Sequence, residues 1–188
     1  MRRFALFSSL LLATSVHATL VDAPDDLSLF LYDKGLLTQM NQVRQNLTDK
    51  TSELVVTAMG FLGVPYRLGG NSLETGFDCS GFVKAMYEQT VGLILPRKAE
   101  QQAAATQVIS QTELQPGDLV FFNTLQRTFS HVGIYIGEGK FIHSPKPGAQ
   151  VRVENMGVSY WSRRFDGARR VMLTQASSVN ASTELNRR

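Results

Sequence analysis

The chain has 188 residues, 43% of them hydrophobic, which is enough for one domain with a full core and excludes a disordered polymer. The formal charge is +3, and it falls to +1 once Arg2 and Arg3 are set aside with a removable leader. That balance is too weak for nucleic-acid binding, and a single cysteine excludes both an internal disulfide and a cysteine-rich zinc centre.

Arg2 and Arg3 supply a positive start, Phe4 to Thr14 a short apolar run, and Val16-His17-Ala18 a small-x-small cleavage site. Residues 1–18 are therefore expected to be an export signal, with the mature chain beginning at Thr19. The apolar run is too short for a membrane span, so no transmembrane segment is expected after its removal. An unpaired thiol in an oxidising compartment then needs a reason to exist.

Residues 19–50 have mixed polar spacing and are expected to form an N-terminal arm or short helix. Leu54, Val55, Ala58, Phe61 and Leu62 have helical spacing, and Gly63 with Pro65 marks the stop. Tyr66 to Asn71 reads as a glycine loop. Asp78 is placed to cap a helix from Cys79 to about Thr90, and Leu95-Pro96-Arg97 leads into a third helical stretch through Gln107.

Beyond that point the period changes. Leu119 to Phe122, His131 to Ile136, Lys140 to His143 and Val151 to Val153 read as strands, punctuated by Pro116-Gly117, Gly137-Glu138-Gly139 and Pro145 to Gly148. Helices followed by an antiparallel sheet make an α+β domain, expected over residues 51–173, with a frayed tail at 174–188. Arg163, Arg164, Arg169 and Arg170 are read as a solvated basic face.

Cys79 is expected in the first turn of its helix, where N–H groups and the dipole lower a thiol pKa and can hold an oxyanion. A free cysteine is more often a small core residue, but capping Asp78 and small Ser80 and Gly81 in an exported chain favour a nucleophile. Register tests the histidines. If Gly137-Glu138-Gly139 is a three-residue hairpin loop, Ile136 pairs with Lys140, and Gly133 faces His143. His131, Gly133, Tyr135, Phe141 and His143 then share one face, while Val132, Ile134, Ile136 and Ile142 form a core face on the other. The hydrophobic pattern thus selects the register that brings both histidines together.

Five stretches, Gly63 to Gly70, Phe77 to Val83, Leu95 to Arg97, Gln115 to Phe122 and Ser130 to Gly137, followed by His143 in Phe141 to Ser144, resemble the NlpC/P60 family of cell-wall cysteine peptidases. The likeness covers about Ser52 to Val171. Leu68 departs from it, since many members carry an aromatic residue there, and Lys98-Ala99 departs from the usual continuation after Leu-Pro-Arg.

The resemblance implies a circularly permuted papain-like fold with a five- or six-stranded antiparallel sheet. It implies hydrolysis of peptide bonds in peptidoglycan stem peptides or their cross-links. Cys79 would be the nucleophile, His131 the general base and His143 the polar third member. Tyr66 would sit beside the cysteine, either binding the oxyanion or packed under the glycine loop. Asp78, Ser80, Arg97 and Ser130 would shape the groove, Arg97 being open to the alternative of a surface ion pair. Asp118, after Pro-Gly, is expected to fix a turn. No cofactor and no metal is expected, the partner is peptidoglycan, the protein is expected to be a monomer, and a Gram-negative periplasm is the expected location. Two other readings stay open: an acyltransferase or amidase using the same Cys-His-His set, and a non-catalytic wall-associated protein.

Overall fold

The computed structural model describes residues 35–172. The expected leader, residues 19–34 of the expected arm and the expected tail lie outside the described residues. Helix α1 spans Leu36–Gly60 without a break. A helix beginning at Thr51 is therefore corrected: no glycine or proline interrupts residues 36–60, so the polar stretch around Asp49 and Lys50 continues the helix. Among its described side chains, those buried are Leu54 and Ala58, in its C-terminal half. Gly63, at φ 86°, turns the chain out of it and donates its N–H to the Val151 carbonyl.

A small antiparallel pair follows, β1 (Asn71–Ser72) and β2 (Gly76–Phe77). Helix α2 spans Cys79–Val91 and ends at Gly92, in the left-handed region at φ 71°. Helix α3 is only Ala99–Ala104, and Gln107, expected to be helical, begins strand β3 (Gln107–Ile109). Three residues with Val108 exposed carry too little pattern to announce an edge strand.

The remaining strands are β4 (Leu119–Phe122), β5 (His131–Gly137), β6 (Lys140–His143), β7 (Arg152–Asn155) and β8 (Phe165–Arg170), with a one-turn helix α4 (Ser159–Ser162) before β8. They form a six-stranded antiparallel sheet in the order β3-β8-β4-β5-β6-β7. Leu119, Phe121, Val132, Ile134 and Ile142 face one core with Phe82, Val83 and Met86 of α2. Val120, Phe122 and Phe141 face a second cluster with Met156 and Trp161. Burying each such side chain is worth about 1.5–3 kcal/mol, so the sheet is fixed from both sides.

Strand β8 was not legible in the sequence, and it corrects the solvated basic face. Arg170 donates from Nε and Nη2 to the two carboxylate oxygens of Asp118, at 2.8 and 2.7 Å. Arg169 lies 5.0 Å over the Phe129 ring, and Arg164 lies 3.9 Å over Tyr160. The partners of Arg169 and Arg170 come from distant segments and leave no trace in local charge spacing. Asp118 keeps its turn role as well, accepting from the Gln115 N–H at 2.7 Å.

The β5–β6 hairpin differs from expectation in one detail. Gly137, not Ile136, pairs with Lys140, and the register shifts between Tyr135 and Gly137. The loop is Glu138-Gly139, both at positive φ, as a tight type I′ turn requires. The bulge absorbs the extra residue, so Tyr135 still pairs with Phe141 and the division of faces is preserved.

Candidate active site

The cysteine end of the site is built from local polar contacts. Asp78 adopts extended backbone at φ −88° and ψ 176°, and its Oδ1 accepts from the Gly81 N–H at 2.8 Å. Oδ2 accepts from the Gly69 N–H at 2.9 Å, tying the glycine loop to the helix start. Gly81 has to be glycine, because a Cβ there would lie 2.1 Å from the Gly70 carbonyl oxygen. Arg97 donates to both Asp78 oxygens, at 2.9 and 2.6 Å, and to Ser80 Oγ at 3.0 Å. It is thus no loose surface pair. Burial alone would raise the Asp78 pKa, but Arg97 and the two backbone N–H groups hold it below its ordinary value.

Cys79, half-buried, opens α2. Its thiol is pushed up to about 11, first by burial and also by the Asp78 charge; the N–H groups of Val132, Ser80 and Cys79 itself pull the other way. The expected lowering by the helix start is present in those N–H groups but is outweighed, because the capping carboxylate and the apolar surroundings oppose it. Cys79 packs against the core cluster that contains Val132, which follows His131 at the start of β5. Tyr66 lines the same groove, its pKa raised by burial and by the nearby Cys79 and Asp78.

The histidine end is built from strands and aromatic packing. His131 Nε2 and His143 Nδ1 are 2.6 Å apart, and both residues are buried. Gly133 makes this possible: a Cβ there would lie 2.7 Å from the Phe141 ring and 3.2 Å from His143 Cβ. Burial, then the neighbouring His143, holds the His131 pKa well below the usual histidine range. Burial lowers His143 too, partly offset by Glu154.

Sequence reasoning missed three residues here. Trp161 stacks on His131 with centroids 5.6 Å apart and packs edge-on against His143 at 5.1 Å. Glu154 Oε2 lies 3.4 Å from His143 Nε2, an ion-pair distance without hydrogen-bond alignment. Gln102, fully buried, donates to the carbonyls of Ser80 and Pro96 at 3.0 and 2.9 Å and pins α3 to the cysteine helix. The single tryptophan of the chain was the one available signal.

Ser130 serves the loop after β4 more than the groove wall: its Oγ accepts from the N–H groups of Thr124 and Leu125 at 2.9 and 3.2 Å. A groove of about 470 Å³ is lined by Tyr66, Leu68, Cys79, Arg97, Arg127 and Ser130. Leu125 is shared with a second groove of about 560 Å³, lined by Arg152, Glu154, Tyr160 and Trp161 among others. The surface around the site thus continues on the histidine side. Among the described residues no three His, Cys, Asp or Glu side chains are grouped to hold a metal ion, and no helix is long and apolar enough to cross a membrane. A nucleophile beside a buried, neutral histidine pair is an arrangement that can transfer an acyl group through a thioester.

A family model described as the NlpC/P60 family matches residues 63–170. Murein DD-endopeptidase MepH of Escherichia coli (strain K12) is 46% identical over 114 residues, covering 59% of this chain and 42% of MepH. Murein DD-endopeptidase MepS/Murein LD-carboxypeptidase of the same strain is 40% identical over 124 residues, 66% of this chain and 64% of MepS. The chain therefore spans less than two thirds of the length of these curated relatives. Among solved structures, the NlpC/p60 domain of the peptidoglycan hydrolase SagA superposes with a TM-score of 0.57 at 34% identity, over 64% of this chain and 98% of that one.

Proposed function

The chain belongs to the NlpC/P60 family, and from that premise we propose that it is an exported thiol endopeptidase of peptidoglycan, cutting the DD cross-link between stem peptides. The observation that carries the reading is that Cys79 opens α2 packed against the core cluster of Val132, the chain neighbour of His131 on β5, and that His131 Nε2 lies 2.6 Å from His143 Nδ1. The names of MepH and MepS support the choice of bond. Export rests on the N-terminal pattern of residues 1–18, and a periplasmic location is consistent with the substrate and with the Escherichia coli relatives.

His131 has its Nε2 engaged with His143, so Nδ1 is the nitrogen left for the thiol. Burial pushes the Cys79 thiol up and holds His131 down, and both directions favour thiol and neutral imidazole at rest. In the first step sulfur attacks the scissile carbonyl carbon while its proton passes to His131. The oxyanion is received by the N–H groups at the start of α2, with the Tyr66 hydroxyl lining the same groove. The tetrahedral species collapses to a thioester as His131 returns the proton to the leaving amine. Water then gives a proton to His131 and attacks the thioester carbonyl; the new tetrahedral species collapses with cleavage of the C–S bond, and His131 returns its proton to the departing sulfur, freeing the acid and restoring the thiol. His143 orients His131 and shares the positive charge it carries between these steps. Arg97, Asp78 and Ser80 hold the helix start in place.

The test is digestion of purified stem peptides and cross-linked dimers, with EDTA and separately with a thiol alkylator, read by mass spectrometry. Expected is a new amine and a new carboxylate at the cross-link, retained with EDTA and lost with the alkylator. Cleavage of glycan strands with intact peptides, or loss with EDTA alone, would overturn the reading.

A further inference from the structure

We propose that Glu154 is a positioning residue of this site: acting through His143, it fixes which nitrogen of His131 is left free for the thiol. The inference rests on the Cys79–His131 reading above. Strands β6 and β7 pair with His143 opposite Arg152 and Phe141 opposite Glu154, so Glu154 is the diagonal neighbour of His143. His143 is fully buried. Its Nε2 and Glu154 Oε2 are both sealed from solvent, have no hydrogen-bond partner among the described residues, and lie 3.4 Å apart. Each is the other's nearest means of satisfaction. The second carboxylate oxygen, Oε1, lies 2.5 Å from Arg152 Nη2. Burial opposes ionisation of Glu154, but the facing His143 and then Arg152 hold its pKa below the ordinary value.

The consequence is a matter of proton inventory. One proton lies between His131 Nε2 and His143 Nδ1, and it can belong to either ring. A carboxylate facing His143 Nε2 draws the proton of neutral His143 onto that nitrogen. His143 Nδ1 is then a lone pair, so His131 must donate from Nε2, and His131 Nδ1 is left as the base. Without the carboxylate, His143 can carry its proton on Nδ1. His131 would then hold its own on Nδ1 and could not accept from the thiol. Glu154 also stabilises the imidazolium formed during each step. The other charged or titratable groups around it are Arg152 on its own strand, His143 on β6, and Lys146 and Tyr160 lining the same groove. Arg152 and Lys146 act in the opposite electrostatic sense to Glu154.

The test compares the wild type with Glu154→Gln and Glu154→Ala on a cross-linked muropeptide. It measures kcat and KM across pH, with nitrogen-15 spectra of the histidine rings. For Glu154→Ala, kcat is expected to fall roughly 10- to 100-fold with KM little changed, as for loss of an orienting group one step removed from the base. Its acid limb moves to lower pH, because the imidazolium loses its counter-charge. The wild-type spectrum should show His143 protonated on Nε2, and the alanine variant a growing Nδ1–H population. Glu154→Gln keeps an acceptor oxygen but no charge, so it should lose less kcat yet show the same displaced limb. A glutamine or alanine variant with an unmoved acid limb and an unchanged His143 tautomer overturns the proposal. If alanine does not fold, the near-isosteric glutamine decides. Inactivity of the wild type, or activity in Cys79→Ala, would instead strike the thiol reading, and the ring spectra would still decide the role of Glu154.

Discussion

The two ends of the site are held by opposite kinds of force. Around Cys79 the scaffold is polar and mostly local: Asp78 caps the helix, and Gly69, Gly81, Ser80 and Arg97 converge on it through hydrogen bonds. Around His131 it is aromatic and long-range: Phe122, Phe141 and Trp161 enclose the imidazole pair, drawn from three elements. The first arrangement presents N–H donors where negative charge develops. The second excludes water from the base and keeps it neutral. Division of labour between a donor-rich end and a dry end is what a thiol–imidazole pair needs if it begins uncharged.

Breaking the pair where the two ends meet has the largest expected effect. Cys79→Ala should abolish cross-link cleavage, and His131→Ala should be nearly as damaging. His143→Gln should cost roughly 10- to 100-fold in rate, because an amide can replace part of an orienting role. Release of peptide from purified peptidoglycan measures this, with circular dichroism confirming the fold. Activity in Cys79→Ala, or a His143→Gln loss equal to that of Cys79→Ala, contradicts the assigned roles.

The same contrast explains what the sequence could disclose. Asp78 before Cys79 was readable because a cap lies next to the helix that it serves. The shared face of His131 and His143 was readable because strand alternation is local, even though the turn was misjudged by one residue and rescued by the bulge. Trp161 and Glu154 were not readable, since their roles arise only when α4 and β7 reach the histidines. Strands β3 and β8 were hidden for related reasons: one is three residues long, and the other carries Arg169 and Arg170 on residues that pair inside the sheet and Asp166 at a register shift. The start of α1 was lost because an exposed helix carries no apolar stripe to betray it.

Separate damage to each scaffold sharpens the comparison. Trp161→Ala removes the aromatic lid over both histidines and should destabilise the fold by about 3–5 kcal/mol, as large-to-small changes at buried aromatics do. Arg97→Ala leaves the Asp78 carboxylate without its cation. A fully buried pair would lose about 3–5 kcal/mol, but Arg97 is 36% exposed, so about 1–3 kcal/mol is expected. Arg97→Lys should recover only part of that, because an ammonium cannot reproduce the two-pronged contact. Urea denaturation orders the three. Equal costs for Trp161→Ala and Arg97→Ala would remove the distinction between a packed end and a polar end.

The smallest expected effect is a pair of limbs in the dependence of stability on pH, one from each end. His131 and His143 have folded pKa values depressed below the ordinary 6.5, so the folded chain keeps them neutral. The unfolded chain takes up their protons as pH falls through that value. Unfolding therefore binds protons in acid, and stability declines as pH drops, by at most about 1.4 kcal/mol per pH unit for each histidine. Glu154, also depressed, adds a loss of the same sign in a lower window. Cys79 works at the other extreme. Its folded value lies above the ordinary 9.0, at about 11, so the unfolded thiol ionises first, and stability declines as pH rises between those values. The wild type should thus show a maximum between the two windows. His131→Gln should flatten the acid limb and leave the alkaline one, and Cys79→Ala should do the reverse. Urea midpoints measured from pH 5 to pH 10.5 test both, and an acid limb of undiminished slope in His131→Gln would show that the aromatic enclosure does not hold the histidine neutral.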